Sequence, residues 1–234
     1  MPTHDTRNAP RAVAIVSGGL DSVTLAHALH GQGYALHLLT VNYGQRHKRE
    51  IVSARACAKR LHAKHTVLNM AHIGRALLHG SALTSPAAVD VPHGHYAAES
   101  MRATVVPNRN AILLALAYGL AVAEDAAVVA IGVHAGDHFI YPDCRPAFTE
   151  AFDTMERFAC EGFAHPALRL VTPFIHGDKA EIVRIGHRLG VPFAETWSCY
   201  EGGALHCGQC GTCVERREAF MLAGVDDPTE YANE

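Results

Sequence analysis

Ala12-Val13-Ala14-Ile15-Val16-Ser17-Gly18-Gly19-Leu20-Asp21-Ser22 is an apolar run that halts at a serine and two glycines and then resumes. An unbroken apolar run bounded by glycines reads as a strand buried on both faces. From Asp21 to Leu29 the residues favour a helix, which Gly31 and Gly33 end. The glycines therefore sit at a strand-to-helix junction. A helix N-terminus presents unpaired N–H groups and the positive end of its dipole, so anions bind there. Glycines let the backbone approach a phosphate closely, and Ser17 and Ser22 add hydroxyl donors. No lysine follows, so this is not GxxxxGK[ST], and the spacing is not the dinucleotide fingerprint GxGxxG.

Outward from this turn, strand and helix alternate. Residues 35–41 read as a second strand. Residues 48–61 follow as a helix with Ile51, Ala54, Ala58 and Leu61 at helical spacing, and 65–68 as a short third strand. Residues 80–103, with Pro86, Pro92 and Gly94, break the pattern; a loop of that length is often a lid or a recognition segment. Residues 110–123 are apolar almost all round and predict a central buried helix, and 127–133 another buried strand. Residues 146–160 form an amphipathic helix with Phe148, Phe152, Met155 and Ala159 on one face, followed by a last strand over 168–171. Asp178 and Glu181 form a capping box opening a helix through Ile182, Ile185 and Leu189, closed by Gly190 and Pro192. The pattern predicts an α/β fold: an open, mostly parallel sheet with helices on both faces.

Of the 234 residues, 49% are hydrophobic and 18% charged, enough for a sizeable core and too apolar for wholesale disorder. A net charge of -3 argues against a protein that lives on a nucleic-acid backbone. The polar start, residues 1–11, shows no signal peptide, and the longest apolar run, 111–123, is short of the roughly 20 residues a membrane span needs. A soluble, cytoplasmic protein is expected. None of its 17 histidines shows HExxH spacing.

Cysteines of such a chain are mostly reduced, so a cluster suggests metal. Cys199, Cys207, Cys210 and Cys213 cluster near the end, while Cys57, Cys144 and Cys160 are scattered. Two-residue gaps let a tight turn aim neighbouring sulfurs at one ion, and four thiolates complete the tetrahedron of a structural zinc. The metal would then hold together a segment too small for a core of its own. An iron–sulfur cluster is the competing reading, since C-x2-C-x2-C also opens the bacterial ferredoxin pattern. There the fourth cysteine lies downstream before a proline; here it lies upstream, and Val214 follows Cys213. His206 reads as a bystander.

Ser17-Gly18-Gly19-Leu20-Asp21-Ser22 resembles the signature loop of the PP-loop ATP pyrophosphatases, adenine nucleotide alpha hydrolase-like enzymes that cleave ATP between its first two phosphates. Further segments sharpen the resemblance: Tyr43-Gly44-Gln45-Arg46-His47, Val106-Pro107-Asn108-Arg109-Asn110, Gly132-Val133-His134, Tyr141-Pro142-Asp143-Cys144-Arg145, Thr196-Trp197-Ser198-Cys199-Tyr200 and Arg216-Arg217-Glu218-Ala219-Phe220. Together, from residue 12 to about 228, they resemble the 7-cyano-7-deazaguanine synthase family of queuosine biosynthesis.

The resemblance implies an AMP-forming ligase that adenylates 7-carboxy-7-deazaguanine, takes ammonia to the amide, and adenylates again to give the nitrile. It implies an ATP-binding domain over 12–195 and a zinc-binding lobe over 196–234. Val16, Ser17, Gly18, Gly19, Leu20, Asp21 and Ser22 would hold ATP together with Arg109. Asp21 would help place Mg2+, and Lys179 would reach the α-phosphate. Tyr43, Gln45, Arg46, Asp143 and Arg145 are the candidates for the base and its carboxylate, with Cys144 as packing or pocket lining. The four clustered cysteines would ligate one structural Zn2+. Partners would be small molecules and a second copy in a homodimer, with no membrane and no direct nucleic acid. The sequence shows no source of ammonia. The rival readings are a PP-loop tRNA thiolase, a relative that stops at the amide or modifies a macromolecule, and a zinc-ribbon binding module with a degenerate ATP site.

Overall fold

A computed structural model describes residues 9–84 and 89–233. The N-terminal tail up to residue 8, and the part of the long loop that holds Pro86, lie outside the described residues. The strands are β1 (Arg11–Ile15), β2 (Ala35–Asn42), β3 (Lys64–Asn69), β4 (Val128–Ala130) and β5 (Arg169–Val171). They form one sheet in the order β3-β2-β1-β4-β5, every pairing parallel. Ala12 stands opposite Leu36 on one side and Val128 on the other.

The helices are α1 (Leu20–Gly31), α2 (Arg49–Arg60), α3 (Ala71–Leu77), α4 (Ala98–Met101), α5 (Arg109–Ala123), α6 (Pro146–Ala159), α7 (Lys179–Arg188) and α8 (Gly211–Ala223). Strand side chains alternate between faces, and so do the two cores. Val13, Ile15, Leu39, Val41 and Val129 meet Leu114 and Tyr118 of α5 and Phe152 of α6. Ala12, Ala14, Leu36, Leu38 and Val128 meet Leu25 and Leu29 of α1, Ala54 of α2, Ile182 and Val183 of α7 and Phe220 of α8. Helices cover both faces, as the alternation of patterns requires. Each fully buried leucine here contributes about 1.5–3 kcal/mol relative to exposure.

The differences from the sequence reading have local causes. α3 is weakly marked in the sequence because it is only seven residues long with Gly74 midway; Met70, Ile73, Leu77 and Leu78 fall at helical spacing, though Ile73 and Leu77 are exposed. β4 pairs over three residues only; Ile131 N–H still reaches Val171 O at 3.2 Å, after which the chain leaves the sheet. On α5, Leu114, Ala117, Tyr118 and Ala121 are buried, but Ala115 and Gly119 are exposed and Ile112 and Leu116 half-buried. Asp178 caps α7 as the spacing predicts: its Oδ1 accepts the Glu181 N–H at 2.7 Å, which is the N-cap half of a capping box.

The chain leaves β1 toward β2 and β3, then returns across β1 to β4 and β5. β1 and β4 therefore flank a switch point, and the crevice beyond their C-terminal ends is where open α/β sheets bind ligands. The C-terminal segment supplies a wall of that crevice. α8 packs along α7, Phe220 meets Phe193 edge-on at 5.0 Å, and the Trp197 N–H donates to Gly18 O at 3.0 Å.

Candidate active site

The turn after β1 is held by its own serines. Gly18 N–H donates to Ser22 Oγ and Gly19 N–H to Ser17 Oγ, both at 3.2 Å, while Ser22 Oγ donates to Gly19 O at 3.1 Å. Gly18 has φ +106, and a Cβ there would overlap the Glu50 carbonyl oxygen and stand 2.7 Å from Ala54 N. Only glycine lets the turn lie this close to α2. Val16, Ser17, Gly19, Leu20, Asp21 and Ser22 all line one cleft, with the open first turn of α1 at its floor.

Beside the turn runs a chain of charged and polar groups. Lys179, first residue of α7, places Nζ 2.5 Å from Glu215 Oε2 of α8 and 3.4 Å from Asp21 Oδ2. Burial opposes the lysine's charge, but Asp21, Glu215 and Asp137 outweigh it and hold its pKa above the ordinary range. His134 Nε2 lies 3.5 Å from Asp137 Oδ2 and 4.0 Å from Asp21 Oδ2, and Asp137 Oδ1 accepts the Tyr96 hydroxyl at 2.9 Å. Asp21 Oδ1 is buried without a hydrogen-bond partner.

His134, Asp137 and Glu215 stand close enough to suggest a metal site. The imidazole argues against it: Nδ1 accepts the Gly136 N–H at 3.1 Å, so the neutral ring carries its proton on Nε2 and has no lone pair to offer the carboxylates' side. Lys179 already supplies the cation there.

The other half of the cleft is aromatic. Tyr43, Tyr96, Tyr141 and Tyr200 line it around Arg109, with Glu50, His47, Asn110 and Cys144. Burial opposes the Arg109 charge, but the phenol oxygens of Tyr43 and Tyr200 and the Asp143 carboxylate outweigh it and hold its pKa well up. Glu50 is buried, one oxygen accepting Gln45 Nε2 at 2.8 Å and the other 3.4 Å from His47 Nε2.

The residues singled out in the sequence divide accordingly. Tyr43 and Arg109 line the cleft. Gln45 is buried behind it; its oxygen accepts the Tyr43 N–H and its nitrogen holds Glu50. Arg46 pairs with Glu201 at 2.7 Å. Asp143 Oδ2 accepts the Asn110 N–H at 3.0 Å and so caps α5. Arg145 is exposed, its Nε donating to His138 O at 2.7 Å. Cys144 lines the wall as a thiol, since burial first and the nearby carboxylates second raise its pKa.

Sequence reasoning assigned no role to Glu50, Tyr96, Asp137, Tyr200 or Glu215. His134, Tyr141 and Tyr200 stood inside the quoted segments. Glu215 lies three residues past the cleft-lining Thr212 on α8, a relation that only the folded helix reveals.

The four cysteines converge at the start of α8, with Cys199, Cys210 and Cys213 fully buried. Their sulfurs lie within 4.8 Å of one another, and Cys207 and Cys213 are 3.9 Å apart. Zinc–sulfur bonds of about 2.3 Å in a tetrahedron put sulfurs about 3.8 Å apart, so the donor set fits zinc. Backbone N–H groups of Gln209 and Cys210 point at Cys207 Sγ from 3.4 and 3.2 Å, and that of Cys207 at Cys199 Sγ from 3.3 Å. Such donors stabilise thiolates. Within this close-set group the contacts among the sulfurs push the Cys210 pKa down and those of Cys199 and Cys213 up, so the cluster favours one thiolate by itself and a cation is needed to hold the others ionised. His206 stays outside: its Nε2 accepts the Ser198 N–H at 3.1 Å, and burial holds its pKa at about 4.

A five-stranded parallel sheet with a serine- and glycine-bearing turn and a cleft at its switch point defines an α/β protein of the open-sheet, ligand-binding kind. An NMN synthetase from Francisella tularensis has a similar fold, with a TM-score of 0.53 at 15% identity over 94% of this chain and 79% of that one. The chain belongs to the family described as Queuosine biosynthesis protein QueC, whose pattern matches residues 11–224. Relatives named 7-cyano-7-deazaguanine synthase include those of Brucella anthropi, 56% identical, and Paracoccus denitrificans, 58% identical, each over 94% of this chain and 93% of its own length. Among the described residues, no helix is long and apolar enough to cross a membrane.

Proposed function

We propose that the cleft converts 7-carboxy-7-deazaguanine and ammonia to 7-cyano-7-deazaguanine with two ATP. The observation that carries this is one continuous cleft that joins the Ser17–Ser22 turn and Lys179 to an aromatic wall around Arg109. One end suits a triphosphate and the other a flat base with a carboxylate. The substrate carboxylate attacks the α-phosphorus of ATP and pyrophosphate leaves. Ammonia then displaces AMP to give the amide. The amide oxygen is adenylated in turn, and loss of AMP and a proton leaves the nitrile. The two oxygens of the acid thus depart on AMP.

In this reading the N–H groups at the start of α1 and the two serines receive the departing pyrophosphate. Lys179 neutralises charge on the α-phosphate. Asp21 and its unpartnered Oδ1 suit a hard cation, and Mg2+ bound there would offset phosphate charge. Arg109 is the guanidinium inside the cleft and so the partner for the substrate carboxylate. Glu50, whose carboxylate Gln45 orients, suits the N–H edge of the base. The tyrosines stack on its faces and exclude water. Asp143 serves this scheme through Arg109, whose charge its carboxylate supports, and Arg145, exposed beside His138 O, is given no contact in it. Zn2+ in the four thiolates would fix the wall that carries Thr212 and Glu215.

The chain is read as a homodimer because α5 keeps Ile112 and Leu116 half-exposed, and α6 exposes Met155 and Phe158. A helix apolar all round is buried in the finished assembly. Seven free cysteines accord with the reducing cytoplasm.

The test is incubation with ATP, magnesium, ammonium and 7-carboxy-7-deazaguanine, with nucleotide and base followed by mass spectrometry. AMP together with the nitrile is expected. AMP with the amide alone would reassign the product, and no AMP would refute the reaction.

A further inference from the structure

Lys179 is the first residue of α7, where the helix dipole disfavours a cation. Its own helix gives it no reason to stay at the phosphate turn. What holds it comes from other elements: Asp21 at 3.4 Å and, closer, Glu215 of α8 at 2.5 Å. Lys179 and Glu215 are both largely buried, their side chains 16% and 13% exposed. A buried pair of this kind is weak evidence for stability, because desolvating two charges offsets much of their attraction. The arrangement asks for another reason.

That reason lies in what fixes α8. Cys210 is the N-cap of the helix, and the Cys213 and Val214 N–H groups bond its carbonyl at 2.9 and 3.0 Å. Cys213 belongs to the thiolate cluster, and Glu215 follows it by two residues. On the same turn, Thr212 Oγ1 donates to Ser198 O at 2.9 Å. Arg216, 1% exposed, donates to Thr196 Oγ1, Phe193 O and Ser198 Oγ at 2.9, 2.9 and 3.1 Å. The segment so clamped is the one whose Trp197 N–H bonds Gly18 O. The first turn of α8 is therefore tied to the phosphate turn on one side and to the cysteine cluster on the other.

We propose that Glu215 is a positioning residue for Lys179, and that the four-cysteine turn acts on the phosphate site through it. The proposal rests on the reading of Lys179 as a phosphate group's partner. Glu215 touches neither nucleotide nor base; it sets where the ammonium waits.

The experiment is a double-mutant cycle in the full chain with Glu215→Leu, Lys179→Met and both together, with Glu215→Gln as the conservative variant. Metal content per chain, the KM for the base, and kcat/KM for ATP in AMP formation are read for each. Glu215→Leu is expected to lower kcat/KM for ATP by about 10²-fold, as displacement of a catalytic group does, with metal content and base KM unchanged. Glu215→Gln, which keeps an oxygen for the ammonium, should recover part of the loss. The double variant should be no worse than Lys179→Met alone. Full activity in Glu215→Leu, multiplied losses in the double variant, or metal lost with the carboxylate would each overturn the proposal. If the wild-type protein forms no AMP, the functional reading fails by itself. The cycle is then run on equilibrium binding of magnesium ATP, where the same non-additivity is expected and its absence refutes the role of Glu215.

Discussion

Replacing Gly18 by alanine separates two costs that usually come together. Gly18 has φ +106, and a residue with a side chain held at such a φ costs about 1–3 kcal/mol. The added Cβ would also overlap Glu50 O and crowd Ala54 N, both backbone atoms of α2 that no rotamer change can move. Forcing an extra carbon into a packed core costs a further amount of about 1–3 kcal/mol. The sum, about 2–6 kcal/mol, is a large part of the typical stability of about 5–15 kcal/mol. Gly33 is the control: φ is +86, and nothing lies within 4 Å of its would-be Cβ. Gly33→Ala should therefore carry only the first cost. Urea unfolding followed by the fluorescence of Trp197, the single tryptophan, suits the comparison because its backbone N–H bonds Gly18 O while its indole N–H bonds Cys199 O. Gly18→Ala is expected to lose more stability than Gly33→Ala by the packing cost, and to lose AMP formation as well. Equal losses from the two would refute the view that the phosphate turn is fitted against α2.

Purified protein should carry one zinc per chain by elemental analysis. Cys207→Ala should remove it and lower the melting temperature, and a variant that kept both would refute the four-thiolate site. Burial depresses the pKa of His27, His37 and His65, so the unfolded chain binds protons first as pH falls through about 6.5. Stability should then drop between pH 7.5 and 6, by at most about 1.4 kcal/mol per pH unit for each proton bound only by the unfolded state; a flat or rising urea midpoint would contradict the sign. Cys144→Ser should keep the nitrile-forming rate within a few-fold, because its thiol is held protonated, whereas abolished turnover would make the thiol chemical.

Buried strands and glycines at a junction leave local marks, and those were legible. The run ending at Ser17, the helix of Ile182 and Ile185 and the cysteine spacing each depend on neighbours a few residues apart. The cleft's far half depends on contacts across the chain. Tyr96 reaches Asp137 over 41 positions and Lys179 reaches Glu215 over 36, and no periodicity records either. Asp143 and Arg145 show the opposite effect. Their chemical types suit the base, but Asp143 caps α5 and Arg145 faces solvent, because the turn between β4 and α6 aims Tyr141 and Cys144 inward instead. Residue type narrows a role, and the turn's geometry assigns it.

The charges of the cleft bear on how a polyanion enters it. Its described lining holds Asp21, Glu50 and Asp137 against Arg109 and Lys179, with Glu215 directly behind the lysine. A site with more carboxylates than cations would repel a bare triphosphate. Attraction must come from the N–H groups and dipole of α1 and from whatever cation accompanies the nucleotide. On the proposed reading that cation is the magnesium of ATP, and Asp21, with its unpartnered Oδ1, gives it a ligand. Lys179 is then one positive charge in a balance that needs a second, which explains why its position is held by two carboxylates and not left to solvent. The same balance gives the C-terminal wall its place in the chemistry. By holding Glu215 it keeps the lysine at the turn, and by adding negative charge it favours nucleotide that arrives with its metal.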